Sequence, residues 1–392
     1  MRVTHIITRL IVGGAQENTV ATVAGLSQIP GVDARLISGA TSGPEGSLEP
    51  EARRALGEER FVVVPELVRS IHPLKDWLAL RKLERILRGQ APEIVHTHSS
   101  KAGVLGRLAA KRAGVPLIVH TIHGPPFGAF QGAAANFVFR QAERVAAKVT
   151  THFIVVADAM TDQYVSAGIG HRAQYTKIFS GFNLAPFLSA KNDAALRSVL
   201  GIAADDIVIG KIARLFKLKG HDDLFAIAPE LARQNSKIKF LLVGDGPWRA
   251  RFEGLARGHN LKKHFIFTGL VPPEEVPKYA GIMDTVVHLS LREGLPRAVP
   301  QALAAGKPVV AYDCDGAREA CLDDQTGFLV RPGDLAGLKM RLAQLAGDRA
   351  LREQLGRRGR EFVQGHFAVE KMVAGIYNLY MTVAAKRHGV SD

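Results

Sequence analysis

Residues 94–124 read IVHTHSSKAGVLGRLAAKRAGVPLIVHTIHG. The two ends, Ile94–Thr97 and Leu117–Thr121, are short runs rich in apolar and branched residues, as is typical of buried β-strands. Between them, Ala102–Ala113 carries apolar residues at helical spacing. A strand, a helix and a second strand in this order predict a parallel sheet that is covered by helices.

The same alternation extends along the whole chain. Further strands are predicted in the first half at Val3–Ile7, Ala34–Ile37, Phe61–Val64 and Phe153–Val156. A second set is predicted at Ile207–Ile212, Lys239–Val243, His264–Thr268, Thr285–Leu289 and Pro308–Tyr312. The polar, proline-containing stretch 181–205 between the two sets is predicted to be the linker. Together these patterns predict an α/β protein with two doubly wound, Rossmann-like domains that face each other across a cleft.

Composition excludes several classes of protein. The chain has 392 residues, of which 47% are hydrophobic and 22% charged, so it is neither disordered nor a disulfide framework. Two cysteines, no signal peptide and no run of about 18 apolar residues predict a cytoplasmic protein without a membrane span. The net charge of +14 suits an anionic partner, which could be nucleic acid, a membrane surface or a phosphorylated small molecule.

Candidate site residues in the first half follow predicted strands, where parallel sheets bind ligands. Gly13 and Gly14 begin a helix, where free backbone N–H groups favour an anion. His96 and His98 end one strand and are predicted to share a face, while His123 follows the next strand. These histidines are candidate proton handlers or hydroxyl partners.

The second half offers a candidate phosphate cradle. Arg214 and Lys219 flank a loop between a strand and a helix, where they could bind a diphosphate. A glycine turn at Gly244 and Gly246 suits backbone contact with a ligand, or it is a plain turn. A second anion site is predicted at a helix start that contains Gly294, Leu295 and Pro296, and the adjacent Glu293 could accept hydrogen bonds from sugar hydroxyls.

In this order the motifs resemble those of the family 4 (group 1) retaining glycosyltransferases of the GT-B fold. The agreement runs over nearly the whole chain. It is carried by the stretches 13–16, 96–98, 121–124, 180–183, Arg214 with 219–220, 244–247, 290–296, 304–310 and 326–330.

The resemblance implies roles for these residues. Arg214 and Lys219 would hold the diphosphate of a nucleotide-sugar donor, expected to be a UDP-sugar, and Glu293 would bind hydroxyls of the donor sugar. Gly14 would approach the donor phosphates, and His123 would lie near the reacting centre. The family usually has a second Glu eight positions after the first; here that position is Gln301, which weakens ribose binding by roughly 1 kcal/mol.

The resemblance also implies an organisation and a reaction. Residues 1–185 would form the acceptor-side domain, residues 186–367 the donor-binding domain, and residues 368–392 a helix that crosses back to the N-terminal domain. Transfer would proceed with retention, without a bound metal or other cofactor, to a lipid-linked or polysaccharide hydroxyl in cell-envelope glycan synthesis. The pair Asp313 and Asp315 resembles a metal motif of other glycosyltransferases, but capping of the loop is the preferred interpretation.

Alternatives remain at this point. One alternative is a soluble glycosyltransferase of the same fold that uses a metabolite or a sugar phosphate as acceptor. An alternative from another class is a non-catalytic protein that binds sugar or nucleic acid. Nucleic acid is disfavoured because basic and aromatic residues do not interleave. A basic, amphipathic helix near the N-terminus could rest on anionic lipid at the inner face of the membrane; its cations are Arg69, Lys75, Arg81, Lys82, Arg85 and Arg88.

Overall fold

The chain folds as two compact units in a computed structural model that describes residues 1–43, 46–128 and 130–387. The N-terminal unit is formed by Met1–Phe182 together with the segment that starts at Val369. The C-terminal unit is Asn183–Ala368. Each unit contains one parallel sheet with helices, so the predicted pair of parallel-sheet α/β domains is confirmed.

The N-terminal unit contains a seven-stranded sheet in the order β3-β2-β1-β4-β5-β6-β7, and its ladders are parallel. Its strands are β1 (Arg2–Ile7), β2 (Asp33–Ser38), β3 (Phe61–Val63), β4 (Ile94–His98), β5 (Leu117–Ile122), β6 (His152–Val155) and β7 (Tyr175–Lys177). Its helices are α1 (Gly14–Ser27), α2 (Glu49–Leu56), α3 (Pro73–Gln90), α4 (Ser100–Arg112), α5 (Ala133–Ala147) and α6 (Asp158–Ser166).

The C-terminal unit contains a six-stranded parallel sheet in the order β10-β9-β8-β11-β12-β13. Its first helices are α7 (Ala185–Leu188) and α8 (Ala194–Val199). The strands are β8 (Ile207–Ile212), β9 (Ile238–Val243), β10 (Phe265–Gly269), β11 (Thr285–His288), β12 (Val309–Tyr312) and β13 (Gly327–Val330). The remaining helices are α9 (His221–Gln234), α10 (Arg249–Gly258), α11 (Val276–Gly281), α12 (Ala298–Ala304), α13 (Ala317–Ala320), α14 (Leu335–Gly347) and α15 (Arg349–His366).

The boundary between the units, after Phe182, lies inside the stretch 181–205 that was predicted to be the linker, but most of this stretch forms α7 and α8 of the C-terminal unit. The carboxylate of Asp193 accepts hydrogen bonds from the backbone N–H groups that begin α8. Arg197 is 5% exposed and donates to the backbone carbonyls of Ile282, Ala203 and Asp206. The polar residues of this stretch therefore order the backbone, which composition alone cannot reveal.

The last helix of the described chain, α16 (Val369–Arg387), belongs to the N-terminal unit and packs against α1. Its side chains Met372, Ile376 and Tyr380 share one apolar core with residues of β1, β2 and α1. The two helices approach so closely that a Cβ added at Gly25 would lie 2.5 Å from Val373 Cγ2. Residues 388–392, part of the last predicted segment, lie outside the described residues.

Both faces of the N-terminal sheet are buried, as the continuously apolar strands predict. One core lies between the sheet and α1, α2 and α16, and the other between the sheet and α3 and α4. The polar side chains of β4 and β5 must therefore find partners inside the unit or at the carboxyl ends of the strands. Among the helices of the described chain, none combines the length and the apolar character needed to cross a bilayer.

Candidate active site

Three of the predicted histidines meet at the carboxyl ends of β4 and β5. The ring centroids of His96 and His98 lie 4.3 Å apart, which confirms that they share a face of the sheet. His98 is also stacked on His123, with 5.5 Å between ring centroids and 3.2 Å between His98 Nδ1 and His123 Nε2. The sheet geometry therefore brings together residues that are separated by a whole crossover helix in the sequence.

A cavity of about 270 Å³ opens beside this cluster. It is lined by the end of β5 with His123, by Ala15 and Ser99 at the starts of α1 and α4, and by Glu143 of α5 and Tyr164 of α6. Gly13 precedes α1, and Gly14 is its first residue. A Cβ at Gly14 would meet no atom within 4 Å, so the unit's own packing does not require glycine there and the backbone is open to a ligand.

Two further residues complete the histidine cluster, and both were missed in the sequence. His5 Nδ1 lies 2.9 Å from His98 Nε2, and the Tyr380 hydroxyl lies 2.5 Å from His96 Nδ1. His5 interrupts an apolar strand, and this was the available signal; Tyr380 gave none, because it is brought into place by α16 from the other end of the chain. Within the described chain, ligand atoms of His5, His96 and His98 lie within 4.8 Å of one another, close enough to consider a metal.

Burial keeps these imidazoles neutral. Removal from water lowers the pKa of His123 to about 4 and that of His5 to about 3. The pKa values of His96 and His98 fall well below the usual 6.5, first through burial and then through their histidine neighbours. At neutral pH the cluster therefore offers one donor and one acceptor per ring and no net charge.

In the C-terminal unit, the loop between β8 and α9 brings two predicted site residues together. The Lys219 ammonium forms an ion pair with the Glu293 carboxylate, and about a quarter of each side chain is exposed. The Leu291 N–H donates to the carbonyl of Leu218 at 2.9 Å, which joins the two loops. Gly220 has a φ of +65°, and a Cβ there would lie 2.1 Å from the Leu289 carbonyl oxygen, so this close approach requires glycine.

Arg214 lies in the same loop with an exposed side chain. Its guanidinium carbon is 5.7 Å from the centroid of the Phe216 ring, a cation–π contact. The side chain is therefore carried on a loop whose backbone is fixed by neighbouring turns. Its predicted role in holding a diphosphate stays a prediction.

Gly244 and Gly246 have a packing role. A Cβ at Gly244 would lie 2.4 Å from the Ala213 carbonyl oxygen, and one at Gly246 would lie 2.3 Å from the Leu215 carbonyl oxygen. The Leu215 N–H donates to the Asp245 carbonyl at 3.0 Å. The glycine turn therefore supports the loop that carries Arg214, and contact with a ligand stays a prediction.

The helix predicted to start at Pro296 begins instead at Ala298, with Arg297 as its N-terminal flanking residue. Gly294 and Leu295 thus lie in the preceding turn, so their N–H groups are not those of the first helical turn, and their contact with an anion stays a prediction. The Glu293 N–H donates to Asp315 Oδ2 at 2.9 Å, while Asp313 pairs with Arg318. These contacts give both aspartates loop-capping partners. Gln301 lies half-buried on α12.

A buried polar group beneath the loops was also missed. Lys211 on β8 is 1% exposed, and burial together with the nearby Lys219 ammonium lowers its pKa to about 7. Among the described residues, His221, His288 and Ser290 each bury side-chain nitrogen or oxygen atoms that lack a hydrogen-bond partner. A lysine inside the apolar strand Ile207–Ile212 was the visible signal. Such uncompensated groups concentrate at functional sites.

Two family models match most of the chain. The model described as "Glycosyl transferases group 1" matches residues 192–362, and the one described as "Glycosyl transferase 4-like domain" matches residues 13–176. The Escherichia coli UDP-Gal:alpha-D-GlcNAc-diphosphoundecaprenol alpha-1,3-galactosyltransferase is 30% identical over 333 residues, which cover 84% of this chain and 85% of that protein. The capsular polysaccharide biosynthesis glycosyltransferase CapM of Staphylococcus aureus is 23% identical over 337 residues, covering 83% and 86%.

Solved structures agree in fold. HepE of Anabaena, in complex with UDP, superposes with a TM-score of 0.78 at 20% identity and covers 97% of this chain and 100% of its own. TarM superposes with a TM-score of 0.74 at 12% identity and covers 97% and 98%. At these identities the likeness establishes the shared fold.

Proposed function

The chain belongs to the group 1 glycosyltransferase family and has the GT-B fold. We therefore propose that it transfers the sugar of a UDP-sugar to a hydroxyl of a lipid-linked or polysaccharide acceptor, with retention of anomeric configuration. It is a glycosyltransferase of the EC 2.4 class, as its sequence predicted. Its relatives include a galactosyltransferase named for a lipid diphosphate acceptor and a capsular polysaccharide enzyme. These relatives fit a role in cell-envelope glycan synthesis.

The observation that carries the proposed donor site is the ion pair between Lys219 and Glu293. In the ligand-free chain each side chain neutralises the other at the loops of β8 and β11. A diphosphate offers the ammonium a stronger, doubly charged partner, and the released carboxylate is then able to accept hydrogen bonds from sugar hydroxyls. Arg214 supplies a second cation from the same loop, and Gln301 accepts a hydrogen bond from the ribose.

The proposed reaction needs stabilisation of the leaving group more than it needs a covalent nucleophile. The bond between the anomeric carbon and the phosphate oxygen breaks, and its electron pair leaves with UDP. The acceptor hydroxyl forms the new bond on the same face and gives its proton to the departing phosphate oxygen. Lys219 and Arg214 stabilise the charge that develops on that phosphate, which is the largest contribution such a site makes.

For the acceptor, the proposal relies on the cavity beside His123 in the N-terminal unit. A neutral histidine suits a sugar hydroxyl because its ring either donates or accepts a hydrogen bond. The open backbone at Gly14 leaves room for the phosphates of the donor. No metal or other cofactor has a part in the proposed reaction.

We further propose that α3 brings the enzyme to an anionic membrane surface, where a lipid-linked acceptor lies. Ile71, Leu74 and Trp77, here termed the α3 apolar patch, are 67%, 62% and 55% exposed. Cationic side chains lie around them, and the Arg81 guanidinium lies 5.9 Å from the Trp77 ring. Exposed apolar side chains among cations favour insertion between anionic headgroups. The enzyme would then act at the cytoplasmic face as a peripheral protein.

The donor proposal is tested by calorimetric titration of UDP and UDP-sugars into the wild-type chain, Lys219→Met and Glu293→Gln. Lys219→Met should weaken UDP binding by about tenfold to a hundredfold, since a charge-assisted contact is worth about 1.5–3 kcal/mol. Glu293→Gln should bind UDP nearly as tightly as the wild type but should lose the added affinity for the sugar. Lys237→Met, which removes an exposed ion pair elsewhere in the unit, is the control.

Equal UDP affinity in the wild type and Lys219→Met would contradict the donor site. Tighter binding of GDP-, ADP- or dTDP-sugars than of UDP-sugars would support the diphosphate site but would show that the donor carries a different nucleotide base. Product formation with a lipid diphosphate acceptor, but none with free sugar phosphates, supports the proposed acceptor, and the reverse result would favour a soluble metabolite enzyme.

The membrane proposal is tested by sedimentation with phosphatidylcholine vesicles that contain or lack phosphatidylglycerol. The chain should bind the anionic vesicles, and Leu74→Ser/Trp77→Ser should weaken that binding by about tenfold or more, because each buried apolar side chain contributes about 1.5–3 kcal/mol. Val199→Ser/Met340→Ser removes exposed apolar side chains from the C-terminal unit and should have no effect. Equal binding by both double variants would exclude the α3 apolar patch as the surface that contacts the membrane.

A further inference from the structure

Six side chains of the N-terminal unit form one continuous series of hydrogen bonds, here termed the histidine chain. It begins at Thr121 Oγ1, which lies 2.6 Å from His96 Nε2, and His96 Nδ1 lies 2.5 Å from the Tyr380 hydroxyl. That hydroxyl lies 3.3 Å from His5 Nε2, and His5 Nδ1 lies 2.9 Å from His98 Nε2. The last step is 3.2 Å, from His98 Nδ1 to His123 Nε2.

The middle of the histidine chain is isolated from water, and its two end members, Thr121 and His123, line the cavity. His5, His96, His98 and Tyr380 are completely buried, and the centroids of neighbouring imidazole rings lie 4.3–5.5 Å apart. Burial lowers the pKa of each imidazole, so all four rings are neutral at pH 7. Of the four imidazoles, only His123 borders the cavity proposed for the acceptor, and its Nδ1 is the ring nitrogen outside the series.

Neutral imidazoles in series cannot choose their tautomers independently. Each ring has one N–H donor and one bare nitrogen acceptor, and the single Tyr380 proton points to one side only. If Thr121 donates, each histidine of the chain carries its proton on Nδ1. If His123 donates from Nε2, each carries it on Nε2. Any other combination places two protons or none in one of the gaps, which leaves a buried polar group unpaired.

The same nitrogens could be considered as metal ligands, since one atom from each of His5, His96 and His98 lies within 4.8 Å of the others. Every ring nitrogen of these three residues already has a hydrogen-bond partner within the histidine chain. A metal ion would have to displace several of these bonds in a place that water does not reach. The contacts therefore favour a hydrogen-bonded series.

We propose that the histidine chain holds its four imidazoles in one shared tautomer and so decides whether His123 donates or accepts a hydrogen bond at Nδ1. Tyr380, from the last helix, and His5, from the first strand, are positioning residues that act through His98 on His123. With all protons on Nδ1, His123 presents a donor to the cavity; with all protons on Nε2, it presents an acceptor. The proposal rests on the proposed function in one respect, the assignment of His123 to the reacting site.

The test uses nitrogen NMR of the histidine rings in the ligand-free full chain, which reports each tautomer directly. His5, His96, His98 and His123 should all carry the proton on the same nitrogen. Tyr380→Phe keeps the buried ring but removes the bridging hydroxyl, so His96 should lose its tautomeric agreement with the other three. Tyr377→Phe, a tyrosine on the same helix outside the series, should leave the pattern unchanged.

Activity gives the second measurement. Tyr380→Phe should lower kcat by about tenfold or more with little change in the KM for the donor, because a His123 that is not held in one tautomer no longer orients the acceptor hydroxyl through a hydrogen bond at Nδ1. His5→Asn, which removes a second link, should have the same effect, whereas Tyr377→Phe should not.

Different tautomers among the four histidines of the wild-type chain would overturn the proposal, as would stoichiometric metal in the purified protein by elemental analysis. An unchanged kcat in Tyr380→Phe would do the same. The NMR pattern is measured without substrates, so it stands or falls independently of the glycosyl-transfer assignment. If the four tautomers agree but no sugar is transferred, the proposed function fails and the histidine chain does not.

Discussion

Mild acid should destabilise the N-terminal unit steeply, and the slope should rise to roughly 7 kcal/mol per pH unit about one pH unit below 6.5. Five histidines of this unit have lowered pKa values: His5, His96, His98, His120 and His123. Each binds a proton readily in the unfolded chain, near pH 6.5. In the folded unit the pKa is about 4 for His123 and about 3 for His5, and it lies well below 6.5 for the other three. Each therefore removes roughly 1.4 kcal/mol of stability per pH unit in that window.

The direction of this pH dependence follows from proton uptake by the two states. Between pH 6.5 and about 4 the unfolded state binds more protons than the folded state, so the free energy of unfolding decreases as the pH falls. Domains are typically stable by only about 5–15 kcal/mol, so the unit should unfold within roughly one to two pH units below 6.5.

Denaturant titrations across this pH range measure the effect. The chain has two tryptophans, so a Trp248→Phe variant leaves Trp77 as a reporter of the N-terminal unit alone. His120→Asn should reduce the slope by about one proton, whereas His171→Gln, at an exposed position, should leave it unchanged. A free energy of unfolding that does not change over this range would mean that the buried rings are charged in the folded chain.

Arg107→Met should cost about 3–5 kcal/mol of stability, because it leaves a buried carboxylate without its counter-charge. Arg107 and Glu143 are 0% and 1% exposed, with 2.6 Å between the guanidinium and the carboxylate. The guanidinium also donates to the Gly103 carbonyl at 2.7 Å and to Thr150 Oγ1 at 3.3 Å. Removing the cation thus leaves three acceptors to find other partners inside the protein.

The matched experiment removes both charges. Arg107→Met/Glu143→Leu should recover much of the lost stability, since an apolar pair of similar volume replaces a buried ion pair at little net cost. Arg172→Met, which breaks the exposed pair with Asp162, should have no measurable effect. Thermal and denaturant unfolding measure the stability of the wild type and of the three variants. Equal destabilisation in the single and double variants would instead assign the loss to packing around Arg107.

Sequence reasoning succeeded where the signal is local. Branched apolar runs placed the central strands to within a residue or two, since burial on both faces leaves little choice of residue. It missed β7, three residues long and only partly buried, and it recorded β13 only as part of a family motif. It also missed α5, whose apolar side chains Phe137, Val138 and Val145 are more than half exposed and do not mark a buried face.

The candidate site was likewise predictable only where its residues follow neighbouring strands. His96, His98 and His123 follow strands in one sheet, so their proximity follows from the topology. Contacts with Tyr380 and His5 could not be foreseen, because they join residues 375 positions apart and depend on where α16 packs. The Lys219–Glu293 ion pair likewise depends on how two loops fold together, whereas the sequence offered only their separate motifs.

The return of the last helix to the first unit has a consequence for synthesis. On the ribosome, the apolar face of β1, β2 and α1 emerges early, but Met372, Ile376 and Tyr380, which cover it, emerge only after the C-terminal unit. Asn183–Ala368 is translated in between, which at about 5–20 residues per second takes roughly ten to forty seconds. During that interval the nascent N-terminal unit carries an incomplete core, so the second unit to be made is the first able to finish folding.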